Sequence, residues 1–405
     1  TFAPSYSLLS SAARPRIALI GVSGYAKIYL QLLEENRERI DLVAAVIINP
    51  DEESAVVADF KARGVAIYDD YEAMLRAEAG RIDLCLIPTG ISWHARMTIA
   101  ALKAGANVLV EKPPAGSVAD VRAIREAERA SGRFVAVGFQ DVYVPEVMRL
   151  KKRILAGVIG RLESVRMIGL WPRPAIYFTR NNWAGRLHAD GAAVLDSPLN
   201  NAFAHFVNLA LFLTGPAELQ TSVATIDEAG LYRAHAIESF DTGVVLARSA
   251  EGVRYWFGVS HSCRQNREPE LYFEGSAGRI EWWHEQRCVI VPKGSAPAET
   301  HPLPDITATR RAMFARVLAR LREPSTFIFD AALSEGHTAF IDAVHRASPV
   351  QTVPASLISW EDLQFTHWSG RIPVIRGIVD AFDRALAQGC TLARAGFTLD
   401  TPAIS

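Results

Sequence analysis

The chain has 405 residues, 49% of them hydrophobic and 21% charged, with 43 Lys and Arg against 44 Asp and Glu. That length exceeds one ordinary core, so two domains are expected. A net charge of −1 argues against a nucleic-acid partner and against a solvating acidic tail. Lysine is scarce beside arginine, so a solitary lysine in a motif stands out. The cysteines Cys85, Cys263, Cys288 and Cys390 form no C-x-x-C pair and have no histidine at metal-ligand spacing. No metal centre is expected, and the pattern fits a reducing, cytoplasmic compartment. No run approaches the roughly 18–20 apolar residues that span a bilayer. Thr1–Ala12 has no charged n-region followed by a long apolar core, so no intact signal peptide is expected there, although the first residue is not Met.

Taken in chain order, the first 140 residues alternate short β-rich runs with helical patterns. The runs are Ile17–Ile20, Leu42–Ile48, Val65–Tyr68, Ile82–Ile87, Asn107–Val110 and Phe134–Phe139. They are continuously apolar rather than alternating, as strands buried on both faces are. Between them lie helical stretches over Tyr25–Glu35, Glu53–Arg63, Tyr71–Glu78, His94–Ala104 and Val118–Ala130, two of them ended by Gly105 and Gly132. Such alternation predicts a Rossmann-type doubly wound parallel sheet over residues 13–142. Beyond it the texture changes. A helix over Pro145–Ala156 leads into a β-rich region, Arg161–Val291, with one helix near 192–213. Runs such as Thr242–Arg248, Val253–Val259 and Glu270–Phe273 suit strands of a mostly antiparallel open sheet. Trp360–Gln388 reads as helical. Residues 143–405 are therefore expected to form an α+β domain, so the fold class is α/β with a second, α+β domain.

The first strand runs into Gly21-Val22-Ser23-Gly24-Tyr25-Ala26 and then a helix. This is the context in which a glycine turn binds pyrophosphate at a helix N-terminus. Gly21 and Ala26 fill the first and third positions of G-x-G-x-x-G/A, while Ser23 holds the second, with Gly24 beside it. Asn49 ends the second strand, where an acid usually meets the ribose hydroxyls. No arginine adjoins it to clamp a 2′-phosphate, and Asp51, Glu52 and Glu53 would repel one. The cofactor is expected to be NAD or NADP, with NAD favoured.

A strand ending in Val110-Glu111-Lys112-Pro113, after such a start, resembles the Gfo/Idh/MocA oxidoreductases (glucose-fructose oxidoreductase and inositol dehydrogenase among them). Thr89-Gly90-Ile91-Ser92-Trp93-His94 is similar to that family's Thr-Pro-x-x-x-His turn, with Gly90 in place of proline. Gly138-Phe139-Gln140 is similar to its strand beside the nicotinamide, and Asp190–Asn200 stands where the family has Gly-Gly-x-x-x-Asp-x-x-x-His. The resemblance implies hydride exchange with a carbinol carbon, usually of a sugar or cyclitol. It also implies a homo-oligomer, and a lysine, aspartate and histidine around the reacting hydroxyl. Thr89, Gly90, His94, Glu111, Lys112 and Gln140 would then line the cofactor.

Oxidising an alcohol this way requires a group that takes the hydroxyl proton. Lys112 leaves the carboxyl end of a parallel strand, where ligands bind in such sheets. Desolvation and the positive charge of an oxidised nicotinamide lower a lysine's pKa towards neutrality. Asp196 is its expected companion. Asn200 replaces the usual histidine, and an amide cannot relay a proton near neutral pH. If the segment is helical, Asp196 and Asn200 share a face, and Ser197, Asn201, His205 and Asn208 form a polar stripe. His205 is a candidate substitute for the missing histidine. Pro198 would kink such a helix or begin it with Ser197 as cap. The loop Arg173–Arg186, with Tyr177, Asn182 and Trp183, mixes stacking faces with polar groups and suits a polyhydroxylated or acidic substrate. With Asn200 and Asn201 these residues are the candidate substrate contacts. Ser260-His261 could approach the same cleft. Three readings remain open: a dehydrogenase or reductase, a non-catalytic dinucleotide-dependent sensor, and an NAD-dependent glycoside-cleaving enzyme.

Overall fold

The computed structural model describes residues 13–364 and 369–399. The reading of Thr1–Ala12, and residues 365–368 of the stretch Trp360–Gln388, lie outside the described residues. Six strands come first: β1 (Arg16–Ile20), β2 (Asp41–Val46), β3 (Ala66–Tyr68), β4 (Leu84–Ile87), β5 (Asn107–Val110) and β6 (Val135–Val137). They alternate with α1 (Ala26–Glu35), α2 (Ser54–Ala62), α3 (Tyr71–Ala77), α4 (Ile91–Lys103) and α5 (Val118–Ser131). All pair in parallel in the order β3-β2-β1-β4-β5-β6. Every residue of β4, β5 and β6 is buried, which is why these runs are continuously apolar. The order reverses between β1 and β4, opening a crevice beyond their carboxyl ends. Gly105 and Gly132 follow their helices with φ of 89° and 64°, the left-handed conformation that stops a helix at little cost. Helix α4 starts at Ile91 rather than His94, because extended Gly90 is its N-cap. His94 therefore lies one turn inside the helix.

The chain continues through a 3-10 turn (Gln140–Tyr143), α6 (Pro145–Leu155), β7 (Leu162–Leu170), a second 3-10 turn (Ala175–Thr179), and the short pair β8 (His188–Ala189) and β9 (Ala192–Ala193). Then come α7 (Ala204–Leu213), β10 (Ala224–Arg233), β11 (Thr242–Ser249), β12 (Arg254–Ser260), β13 (Arg267–Gly275), β14 (Gly278–Trp283), β15 (Arg287–Pro292) and β16 (Glu299–Pro302). Last are α8 (Ile306–Arg320), α9 (Ala331–Ala347), β17 (Val350–Thr352), β18 (Ile358–Gln364), β19 (Ser369–Ile375) and α10 (Ile378–Gln388). Nine of these strands form one open sheet, β16-β15-β14-β13-β7-β12-β11-β10-β17. It is antiparallel except at β7–β12 and β10–β17.

Two readings of this half need correction. Trp360–Gln388 is not one helix: β18 and β19 pair antiparallel, and only α10 is helical. Pro373 and the β-branched residues around it disfavour a helix, which begins only beyond Gly377. The helix expected near 192–213 starts only at Ala204. Residues 197–203 form consecutive turns, with Asn200 and Asn201 both donating to the Ser197 carbonyl. The stripe Ser197, Asn201, His205 and Asn208 is thus not a helical face, and α8 and α9 add helices that the β-rich texture did not suggest.

The chain divides into two compact units. The first runs to Val144, two residues past the expected boundary, and takes in Thr307–Glu335, which the sequence reading left in the second. That return segment is tied to the parallel sheet at its β6 edge. Val137 donates to the Phe329 carbonyl at 2.8 Å, and Ala136 bridges Asp330. Arg311 forms a bidentate pair with Glu35 on α1 at 2.7 and 2.8 Å, and Glu335 takes Arg122 and Arg125 of α5.

The second unit holds Pro145–Ile306 and the chain from Gly336 onward. One face of its large sheet buries Ile168, Leu170, Tyr232, Val244 and Trp256 against Ile378, Phe382 and Ala385 of α10 and against Leu392 and Phe397. Trp256 donates to the Cys390 carbonyl at 2.9 Å, and Arg166 to that of Leu386 at 2.9 Å. All four cysteines are free and buried.

Lys151 of α6 is wholly buried and donates to the carbonyls of Phe212, Gly215 and Gln220, so it caps the end of α7. Lys151→Met leaves these acceptors unanswered, and urea unfolding should show a loss of about 2–4 kcal/mol. Burial pushes His284 and His345 down to about 4 from an ordinary 6.5. Between those values the unfolded chain binds protons that the folded chain does not. Stability should therefore fall as pH drops from about 6.5 towards about 4, read as a declining urea midpoint, and His345→Gln should flatten the decline.

Candidate functional site

In the first unit the candidate residues gather at the carboxyl ends of β1, β2, β4, β5 and β6. Gly21 follows β1 with φ 89°, and its N–H bonds the Val46 carbonyl at 3.0 Å. A Cβ added there would sit 3.6 Å from Thr89 Cγ2; the tight constraint is the backbone conformation, which glycine adopts freely. Helix α1 has no side-chain cap. Ser23, Gly24 and Tyr25 ahead of it are exposed, and Ala26 is buried. An uncapped N-terminus behind a glycine turn is an anion site by its dipole and its unmet N–H groups. Asn49, beyond β2, is exposed and donates to Glu52 at 3.3 Å, next to Ile48, which is 74% exposed.

Glu111 and Lys112 end β5. Glu111 is buried, and its two oxygens accept from the Tyr29 hydroxyl at 2.7 Å and the Lys112 N–H at 3.1 Å. Burial raises its pKa, against the pull of Tyr29 and the Lys112 charge. The backbone of Gly138 presses on this carboxylate; a Cβ there would lie 2.8 Å from Glu111 Oε1. Lys112 is half-buried, and its peptide bond to Pro113 is cis. His94 is buried, with Nδ1 2.8 Å from the Pro113 carbonyl and Nε2 3.0 Å from that of Thr89. Burial lowers its pKa. It joins the loop after β4 to the loop after β5, a bracing position. Gln140 is 3% exposed, and its side-chain oxygen meets no donor among the described residues. These residues fit a dinucleotide. The α1 N-terminus would hold the pyrophosphate and Asn49 a ribose, and the orphaned Gln140 oxygen would find a donor in a bound ligand.

In the second unit, Asp196 is buried. It accepts from the Gly185 N–H at 2.6 Å and from Asn201 at 2.9 Å. Asn201 Nδ2 also lies 3.5 Å from the Tyr177 hydroxyl. Leu195, just before Asp196, has φ 44°, a conformation that costs a non-glycine residue of order 1 kcal/mol or more. Asn200 holds it there: both amide hydrogens are committed, to the Val194 carbonyl at 2.9 Å and the Leu195 carbonyl at 3.3 Å. Its oxygen faces His337 Nε2 of α9 at 3.2 Å. Asn200 therefore braces the turn that presents Asp196, whereas the sequence pattern suggested a side chain turned to the substrate. His205 is half-buried in the first turn of α7. Asn182 is exposed and donates to Asp190 at 3.0 Å. Trp183 lies under the Arg180 guanidinium at 5.2 Å. His261 is buried, its Nδ1–H donating to the Trp171 carbonyl at 2.7 Å, with its ring 6.0 Å from that of Tyr177.

Three partners were invisible to sequence reasoning: Tyr29 for Glu111, Gly185 for Asp196 and His337 for Asn200. No local pattern marks contacts across 82, 11 and 137 residues. Among the described residues no cluster of His, Cys, Asp or Glu could hold a metal ion. Asn200→Ala frees the Val194 and Leu195 carbonyls inside the protein, and chemical denaturation should register a loss of about 1–3 kcal/mol.

Comparison with known proteins gives a consistent answer. The model of the oxidoreductase family with an NAD-binding Rossmann fold, GFO_IDH_MocA, matches residues 15–139, and the GFO/IDH/MocA C-terminal domain model matches 147–281. Inositol 2-dehydrogenase of Pseudomonas fluorescens strain Pf-5 is 24% identical over 264 residues, covering 65% of this chain and 72% of that protein. D-glucoside 3-dehydrogenase of Escherichia coli is 26% identical over 147 residues, 36% of this chain and 41% of that one. The fold is shared with the WlbA dehydrogenase from Bordetella pertussis, solved with NADH and UDP-GlcNAcA. The TM-score is 0.66 at 23% identity, over 83% of this chain and 96% of that one. It is shared too with KijD10, a 3-ketoreductase from Actinomadura kijaniata solved with NADP and TDP-benzene, at TM-score 0.66 and 19% identity over 84% and 100%.

Proposed function

The chain belongs to the Gfo/Idh/MocA family of NAD(P)-dependent oxidoreductases, and we propose that it exchanges a hydride with a carbinol carbon of a sugar, a cyclitol or a derivative of one, with Lys112 as the acid–base group. The observation that carries this is the position of Lys112 at the carboxyl end of β5, its backbone held by Glu111 and the following carbonyl held by His94. The bound nicotinamide supplies the hydride acceptor or donor. The chain supplies the rest. Lys112 takes the hydroxyl proton in oxidation and returns it in reduction. Asp196, held by the Gly185 N–H and Asn201, orients the reacting hydroxyl. Tyr177 and Asn201 contact the substrate beside it, with Asn182 and Trp183 at the outer end of the loop.

His205, on α7, is left outside the proton path, since an acid–base lysine and an orienting carboxylate suffice for one proton. NAD is favoured over NADP, because Asp51, Glu52 and Glu53 follow Asn49 and would repel a 2′-phosphate. A homo-oligomer and a cytoplasmic location belong to the same proposal. No helix among the described residues is long and apolar enough to cross a membrane.

The test is a panel of polyols, cyclitols and sugar derivatives with NAD and with NADP, followed at the reduced-nicotinamide absorbance. Lys112→Ala should lower kcat by roughly 10²- to 10⁴-fold while calorimetry still finds cofactor binding. No turnover across the panel in either direction, with cofactor bound tightly, would overturn the reading. Release of an aglycone with no net nicotinamide reduction would select glycoside cleavage instead.

A further inference from the structure

Two arginines of the second unit face the same aromatic ring. The guanidinium carbon of Arg180 lies 3.7 Å from the Tyr177 ring centre, and that of Arg173 lies 5.3 Å from it. Elsewhere in the chain many arginines are matched to carboxylates, as Arg153 is to Glu299 and Arg267 to Glu270. Arg173 and Arg180 form no ion pair among the described residues. Arg180 donates to the Tyr177 carbonyl, and Arg173 donates to the Tyr177 side chain and, at 3.3 Å, to the Pro172 carbonyl. The Arg173 Nε is buried and meets no acceptor.

The acids nearby have hydrogen-bond partners of their own. Glu268, the acid that bears on Arg173 at longer range, accepts from the Trp171 indole at 3.0 Å. Asp241 is held by His235 at 2.9 Å. Asp196 accepts from Gly185 and Asn201. Burial, and the like charge of Arg180, both work against the Arg173 cation. Two partly buried guanidiniums without an ion pair, one of them with an unmet buried donor, are costly unless an anion joins them. The hydroxyl of the ring they share reaches Asn201, and through it Asp196.

Resting on the function proposed above, we infer that the substrate carries an oxyanion, a carboxylate or a phosphate ester, bound by Arg173 and Arg180 beside Tyr177. The planar guanidinium fork suits either group, and Tyr177 offers a flat face for a sugar ring. The substrate class is therefore a sugar acid or sugar phosphate, or the cyclitol equivalent, and neutral polyols are poor substrates.

The experiment uses the full chain with saturating NAD or NADP. Probes come in matched sets, namely hexuronates, aldonates, hexose and inositol phosphates, and their neutral parents. Turnover gives kcat and KM, and calorimetry gives binding whether or not turnover occurs. The anionic members should bind and react better than their parents by at least about tenfold, with added salt weakening the preference. Arg173→Met and Arg180→Met should each raise KM for the anionic probe about 10- to 100-fold with kcat nearly unchanged. Neither should alter the neutral parent, and Arg→Lys should restore part of the loss. The carboxylate and phosphate arms identify which oxyanion is read. Equal binding of anionic and neutral probes, or equal loss on both in the variants, overturns the inference and leaves the dehydrogenase reading standing. Oxyanion binding that depends on both arginines, without turnover of any probe, supports the inference and counts against the dehydrogenase reading.

Discussion

A carboxylate taken out of water must be met by donors, and this requirement organises the candidate site residues of both units. Glu111 is satisfied by the Tyr29 hydroxyl and the Lys112 N–H. Asp196 is satisfied by the Gly185 N–H and Asn201. Asp241 takes the His235 ring, two backbone N–H groups and the Thr242 hydroxyl. Each such anion is expensive alone, and each is ordered because every donor around it is held in turn by secondary structure. Order at Lys112 and at the Asp196 turn is a consequence.

Strain enters at one of these points. Leu195 adopts a left-handed conformation that leucine disfavours, and the amide of Asn200 clamps the carbonyls on both sides of it. The same residue faces His337. Where the family pattern places a histidine, this chain has built a brace, with a histidine behind it from another helix. The substitution changes what the position does: it fixes the turn that carries Asp196.

Much of the parallel half was legible because its signals are local. Continuous apolar runs such as Leu84–Ile87 mark strands buried on both faces, and glycines with positive φ mark helix ends. The second unit was less so. Pro198, Asn200 and Asn201 sit in a segment with helical spacing, but the two side chains bond to neighbouring backbone and carboxylate groups, and the regular helix is delayed to Ala204. In the tail, Pro373 and its β-branched neighbours form a strand that a count of apolar residues reads as helix. The segment Thr307–Glu335 joins the first unit through Phe329, Arg311 and Glu335, whose partners lie far back in the chain.

By itself the sequence determined the six-stranded parallel sheet, the glycine turn before α1 and the lysine at the end of β5, because each depends on residues within a few positions of one another. Only the tertiary structure decided that Glu111 is held by Tyr29, that Asn200 faces inward to a strained turn, and that Arg173 and Arg180 share one aromatic ring with no ion pair among the described residues. Those outcomes depend on which distant groups remain to satisfy a buried donor, acceptor or charge, and no local spacing encodes that.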